Sequence, residues 1–372
     1  LGLFGSPAQE VKNFDDKARV GLAATVALKG PAFVQVGGTS TLKIALAGNK
    51  LTTQIEAQTC AGTGTNCPVS KAAWRVDVGN NSAFGAVLPS TFLLQPIVSQ
   101  VSTPGGQRIL VAGGASVPLP KSGDSRTAEA MLCEIEPGKA DCISSNSFMK
   151  AKRAGAAVGC IGETKDDCKR VLIVGGRLSN NVPLAEIYDA EADTFEAVDV
   201  TGTAIPASLH GGTLLNADLG AFLLLGATSK PMFLDPSGAG ASADIAPLRI
   251  KVETSADKTT LTFLPVDLAG FAGADGGKRS LATAVSLDDG SALLIGGLGP
   301  NNQPLADALV IGGDGVATSR VTLDVARFAA GAARISTVGP LKGCALLAGG
   351  LTLDKGKLAA LNHVEVYCPS SP

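Results

Sequence analysis

The residues best suited to chemistry are few: two histidines, two tyrosines and eight cysteines in 372 residues. The cysteines fall in four close pairs, Cys60/Cys67, Cys133/Cys142, Cys160/Cys168 and Cys344/Cys368. Zinc sites use C-x₂₋₄-C clusters or cysteine with histidine, which these spacings do not supply. An even number of cysteines in local pairs reads instead as disulfides formed in an oxidising compartment. His210 stands in Ser208-Leu209-His210-Gly211-Gly212, and His363 directly precedes Val364-Glu365-Val366. With no matching partner, the first reads as a hydrogen-bonded structural histidine and the second as the border of a strand. There is no G-x-S-x-G elbow and no EF-hand spacing; Asp166-Asp167 and Asp288-Asp289 read as turn charge. The expectation is no catalytic residue, no metal and no cofactor.

Composition narrows the classes further. Charged residues are 17%, the net charge is −2 and no basic stripe occurs, which argues against nucleic acid or an anionic membrane as partner. No apolar run reaches the roughly 18 residues that a membrane-spanning helix needs. Leu1-Gly2-Leu3-Phe4 lacks the basic flank and long apolar stretch of a leader, so the chain reads as a mature form; a removed signal or a lipid anchor is compatible with it. Aromatics are 4% while glycines number 46, so apolar volume comes from Ala, Val, Leu and Ile, and glycine marks many turns.

The elements that position these residues are set by an internal repeat. Short apolar runs closed by glycine end at Gly38, Gly114, Gly176, Ala227, Gly297 and Gly350, 51 to 76 residues apart. Such runs suit strands buried on both faces. Before most lies another strand and a turn, most clearly Arg279–Leu287 followed by Asp288-Asp289-Gly290. After them come a polar loop and a third strand. Ser179 to Glu186 and Pro300 to Asp307 align almost residue for residue, and a fourth, more exposed strand follows. Arg19, Arg153, Arg279 and Arg327 recur near the start of first strands and read as anchors onto backbone carbonyls. The glycine pairs lack the following helix that a phosphate loop requires, so they read as structural.

Strand–turn–strand-Gly-Gly–loop–strand–strand resembles the kelch repeat, best in Arg170 to Val198 with Gly175-Gly176, Ala185-Glu186-Ile187-Tyr188-Asp189 and Thr194-Phe195. The resemblance implies an all-β, six-bladed kelch-like β-propeller of four-stranded antiparallel blades. One domain would span 1–372, with blades at 19–78, 92–150, 153–199, 208–266, 279–322 and 327–368. Trp74 would hold the fourth-strand aromatic of the first blade. The last blade lacks a fourth strand, and Gln9–Phe14 alternates as a half-exposed strand that would pair with Val364–Cys368 and close the ring. Strand parity puts all four cysteine pairs on one face and the polar loops on the other. The candidate binding residues on those loops are Arg177, Asn180, Asn181, Asn301, Asn302 and Gln303.

Kelch propellers include copper radical oxidases, which need two His, two Tyr and a cross-linked Cys. Tyr188 and Tyr367 occupy matching third-strand positions, which reads as packing. Sialidase-like propellers carry Ser-x-Asp-x-Gly-x-x-Trp turns, and Trp74 is the only tryptophan. The expected function is a non-catalytic interaction or scaffold module outside the cytoplasm: periplasmic, on the outer-membrane surface or secreted. The composition points to a bacterial source. The expected partner is a protein, with carbohydrate as a second class. Two alternatives stand beside it: a structural subunit of a cell-surface complex or filament, and a carbohydrate-active enzyme using channel carboxylates.

Overall fold

In a computed structural model the described residues are 3–5, 24–27, 32–36, 45–47, 50–52, 72–77, 82–89, 94–116, 124–136, 139–161, 167–218, 220–230, 245–255, 258–266, 278–287, 290–299, 302–312, 317–335, 342–354, 357–361 and 363–369. They are all-β, without a helix. Their strands form antiparallel meanders, here numbered I to VI, with strands a to d in each. Unit I comprises Ala24–Ala27, Ala32–Val36, Ala72–Asp77 and Ser82–Val87; unit II comprises Ile97–Thr103, Gly106–Ala112, Ala130–Glu136 and Lys139–Ser144. Unit III comprises Ala157–Ile161, Arg170–Val174, Ala185–Asp189 and Thr194–Gly202; unit IV comprises His210–Asp218, Ala221–Thr228, Leu248–Ser255 and Lys258–Pro265. Unit V comprises Thr283–Ser286, Ala292–Ile295, Leu305–Ile311 and Ala317–Arg327. Unit VI comprises Gly331–Arg334, Ala345–Ala348, Val364–Cys368 and, from the other end of the chain, Leu3–Gly5.

The apolar b strands explain themselves through their period of two. Val171 and Ile173 pack with Ile97, Leu110 and Leu132 of unit II, while Leu172 and Val174 pack with Leu224, Ile250 and Phe263 of unit IV. Leu293 and Ile295 likewise meet unit VI, and Leu294 meets unit IV. A strand clamped between two neighbouring sheets must be apolar on both faces. The a strands touch one another in the order I, II, III, IV, V, VI and back to I.

Glycine pairs hold consecutive units together. Gly114 N donates to Arg153 O (2.7 Å), Gly176 N to Leu209 O (2.7 Å) and Gly297 N to Arg327 O (2.8 Å). Each carbonyl belongs to the segment that enters the next unit. The first glycine of each pair, at positions 113, 175 and 296, has positive φ, and a Cβ there would overlap that same carbonyl. A second set of bonds runs between residues that also have positive φ, just ahead of the a strands or, for Gly211, at the start of one. Gly155 N donates to Gln95 O, Gly211 N to Gly155 O, and Ala329 N to Leu281 O.

Several features depart from the sequence expectations. The edge of Val364–Cys368 is taken by Leu3–Gly5, with Phe4 opposite Tyr367; Gln9–Phe14 lies outside the described residues. An uncharged triplet settles on that edge without having to place Glu10 and Lys12. Trp74 sits in the third strand of unit I, opposite Gln35, and the fourth strand is Ser82–Val87, beyond the expected blade limit. Arg327 ends the outer strand of unit V instead of starting an inner one. The outer strands of units III and IV pair in parallel, Asp199 opposite Thr260 through Gly202 opposite Phe263, so that eight strands form one sheet whose end strands, Ala157–Ile161 and His210–Asp218, also touch. Hairpins Ala45–Thr52 and Leu351–Ala360, both inserted between b and c strands, form a further four-stranded sheet joining units I and VI.

Three cysteine pairs are disulfides: Cys133–Cys142, Cys160–Cys168 and Cys344–Cys368. Cys133 and Cys142 face each other directly across strands c and d rather than within their loop. Cys160–Cys168 and Cys344–Cys368 lie at the a–b/c–d end of their units, whereas Cys133–Cys142 sits at mid-strand. Cys60 and Cys67 lie outside the described residues, and their sequence positions fall between the b and c strands of unit I.

Substitution separates the two roles of glycine. Gly290 has φ +82 with open space around its Cβ direction, whereas Gly175 has φ +79 against Leu209. Gly290→Ala should lose about 1–2 kcal/mol from the left-handed backbone alone. Gly175→Ala should lose at least about 3 kcal/mol, because backbone must also move. Urea denaturation of the two variants measures the difference.

Candidate functional site

Between the a strands lies an opening of about 210 Å³, lined by residues including Gln95, Gly155, Thr213, Leu281 and Ala329, with no titratable side chain in its wall. A second opening of about 310 Å³, farther along the same strands, is lined by Val98, Val158, Asn216, Val285 and Arg334 among others. Neither wall carries the carboxylate pair that glycoside hydrolysis uses. His210 is buried beside the inner ring, its Nε2 2.8 Å from Ser208 Oγ. His363 lies 3.9 Å from Asp324 and 3.8 Å from Glu365. Among the described residues no His/Cys/Asp/Glu group is arranged to hold a metal.

Charge is concentrated instead at the junctions. Arg153 is fully buried. It donates from Nε to Glu186 Oε1 (2.8 Å), from Nη1 to Gly175 O (2.5 Å) and Leu184 O (3.1 Å), and from Nη2 to Pro183 O (2.6 Å). Glu186 also accepts from Lys150 N and Ala151 N. Unit VI repeats the device: Arg327 reaches Glu365, Gly349 O and His363 O, and Glu365 accepts from Asp324 N. In unit V, Arg279 meets both carboxylate oxygens of Asp307, at 3.0 and 3.2 Å. Burial pulls the guanidinium pKa of Arg153 and of Arg327 below the ordinary value, and the paired glutamates partly offset it. The arginines thus clamp each entry segment to its own sheet, while the backbone at that segment bonds the preceding sheet. Aligning the acids of Ala185-Glu186, Ala306-Asp307 and Val364-Glu365 with the arginines would have exposed this pairing in the sequence.

The loops between b and c strands, and those from d to the next a strand, share the other end of the units. Asn180, Asn181 and Gln303 are exposed there and Asn302 is half-buried, with φ +55 in its turn; Asn301 lies outside the described residues. Arg177 is buried, and its Nη1 donates to the carbonyls of Asn180 and Val182, so it shapes its own loop. Burial lowers its pKa.

No protein-family model and no curated protein matches this chain.

The exposed large apolar side chains among the described residues are Phe148 (63%), Ile143 (55%), Ile205 (43%) and Leu178 (41%). Leu178 is in the b–c loop of unit III, Phe148 and Ile205 follow d strands, and Ile143 is next to last in its d strand. All four therefore gather at or near the b–c end, with Cys133–Cys142 at mid-strand beside Ile143 and the other two disulfides toward the a–b/c–d end. The junction between units II and III is polar. Asp193 accepts from Tyr188 Oη (2.8 Å), Ser145 Oγ (2.6 Å) and Asn146 N (2.8 Å), tying the loop after unit II to the c–d turn of unit III.

Two outcomes follow from the buried groups. Arg153→Met should destabilise by about 3–5 kcal/mol, since Glu186 is left buried and unpaired. The double variant Arg153→Met/Glu186→Leu should recover only part, because the backbone groups of Lys150, Ala151, Gly175, Pro183 and Leu184 lose partners; denaturant midpoints of the cycle test this. Burial, and next the hydrogen bond to Asp193, push the Tyr188 phenol well above the ordinary tyrosine pKa. The unfolded phenol ionises near about 10, so the stability is complete below that pH and falls as pH rises above it. In Tyr367→Phe, ultraviolet titration should show no phenolate until the protein unfolds.

Proposed function

We propose that the chain is a six-bladed kelch-like β-propeller forming a single domain, located outside the cytoplasm, that acts without catalysis by binding a protein partner on its b–c face. The meanders and cyclic contacts of their a strands support the propeller reading. The disulfides support an oxidising compartment.

One observation carries the binding role: Phe148, Ile143, Ile205 and Leu178 all stand exposed at one end of a rigid scaffold. Leaving large apolar side chains in water gives up burial free energy of about 1.5–3 kcal/mol each. Gathering them at one end, among Asn180, Asn181 and Gln303, matches the anatomy of a protein interface, with apolar anchors and a polar rim. The channel walls, made largely of Gly, Ala, Val and Thr, offer small ligands no convergent polar groups.

A photo-crosslinking residue placed at Leu178 or Ile205, in extracts of cells that make the protein, should capture a discrete protein species. The same residue at Lys139 or Lys169, exposed at the a–b/c–d end, should not. Equal capture at both ends, or capture only at the a–b/c–d end, contradicts the reading.

A further inference from the structure

Unit II keeps half of the junction clamp. In units III, V and VI the arginine stands two residues before the positive-φ residue: Arg153 before Gly155, Arg279 before Leu281, and Arg327 before Ala329. In unit II the positive-φ residue is Gln95, and the corresponding sequence position is Leu93. The acid, however, is retained. Glu129 O accepts from Gly113 N (2.8 Å) as Asp307 O accepts from Gly296 N (2.9 Å), so Glu129 occupies the register of the Arg279 partner. Unit IV differs from both: Leu209 replaces the arginine, and Ala246-Pro247-Leu248 at the start of the third strand carries no acid. Both members of the pair are missing from unit IV, but only the cation is missing from unit II.

Its place is an open cavity of about 330 Å³, lined by Gly113, Thr127, Glu129, Met131, Ser145 and Phe148 among others. Glu129 is exposed, and no ion pair or hydrogen bond engages its carboxylate among the described residues. The loop carrying Phe148 is clipped over it, because Ser145 N donates to Ala130 O and Met149 N to Ala128 O, on either side of Glu129. An exposed phenyl ring beside a carboxylate suits a planar cation, with ion pairing to one and stacking on the other.

We propose that this cavity receives an arginine side chain of the protein partner, which completes in trans the arginine–carboxylate pair that Arg279 and Asp307 make in cis in unit V. The inference rests on the b–c face being the binding face and specifies the chemistry of its anchor.

The test is an NMR titration of the full chain with N-acetyl-arginine methylamide, using the uncharged isostere N-acetyl-citrulline methylamide as control. Saturable shifts at Met131 and Phe148 are expected with the arginine probe only. Glu129→Gln should weaken the response at least about fivefold, near 1 kcal/mol, with an unchanged melting temperature, and Glu196→Gln, at another exposed acid, should leave it intact. No response up to the probe's solubility limit, an equal response to citrulline, or an unaltered response in Glu129→Gln would overturn the proposal. Crosslinking from Leu178 that persists in Glu129→Gln would keep the binding face while removing arginine as its anchor.

Discussion

The structure depends on how closely consecutive sheets approach at the glycine pairs. A glycine N–H of one unit bonds the carbonyl of the segment entering the next, at 2.7–2.8 Å, and the neighbouring glycine has no Cβ to obstruct it. That approach sets the spacing between sheets, and the spacing sets what else fits. The b strands become apolar on both faces, small residues line the inner ring, and a buried arginine is the side chain that spans from the entry segment to the third strand. Such an arginine is tolerated only with a carboxylate and several carbonyls around it. Glu186 and Glu365 fill that role in the same way, down to the backbone N–H three residues before each arginine.

Much of this was legible in the sequence because it repeats. The six apolar runs correspond to described strands, and the glycines that follow five of them and Gly290 to described turns. The arginines read as anchors from the sequence alone, but their acids do not, since a single Glu or Asp inside an otherwise apolar strand looks like ordinary alternation until two copies are compared. What breaks the repeat was hidden. Leu3–Gly5 is too short to carry a periodic signal, and the hairpins at Ala45–Thr52 and Leu351–Ala360 sit inside segments that read as loops. Their pairing is between distant parts of the chain, and strand edges select partners by available backbone as much as by side chain.

The candidate site was less visible for a physical reason. Polar loop residues such as Asn180 and Gln303 stand out in a sequence, whereas Phe148 and Leu178 look like core. Only the position of the segments after d strands, over the ends of the sheets, shows that these side chains have nothing to pack against. Arg177 illustrates the opposite error: a charged loop residue turned inward to hold carbonyls of its own loop.

The parallel pairing of the outer strands of units III and IV gives the molecule an uneven grain. In a chain of units that contact only their neighbours, each can open somewhat independently. Joining Asp199–Gly202 to Thr260–Phe263 removes two free strand edges and makes the two units a single mechanical block. Units II and V flank that block and retain outer edges on Lys139–Ser144 and Ala317–Arg327. Amide exchange would therefore distinguish a slow half of the ring from a faster one. The surface at unit II adjoins the slow half, so a partner seated there would be held against the least yielding part of the molecule.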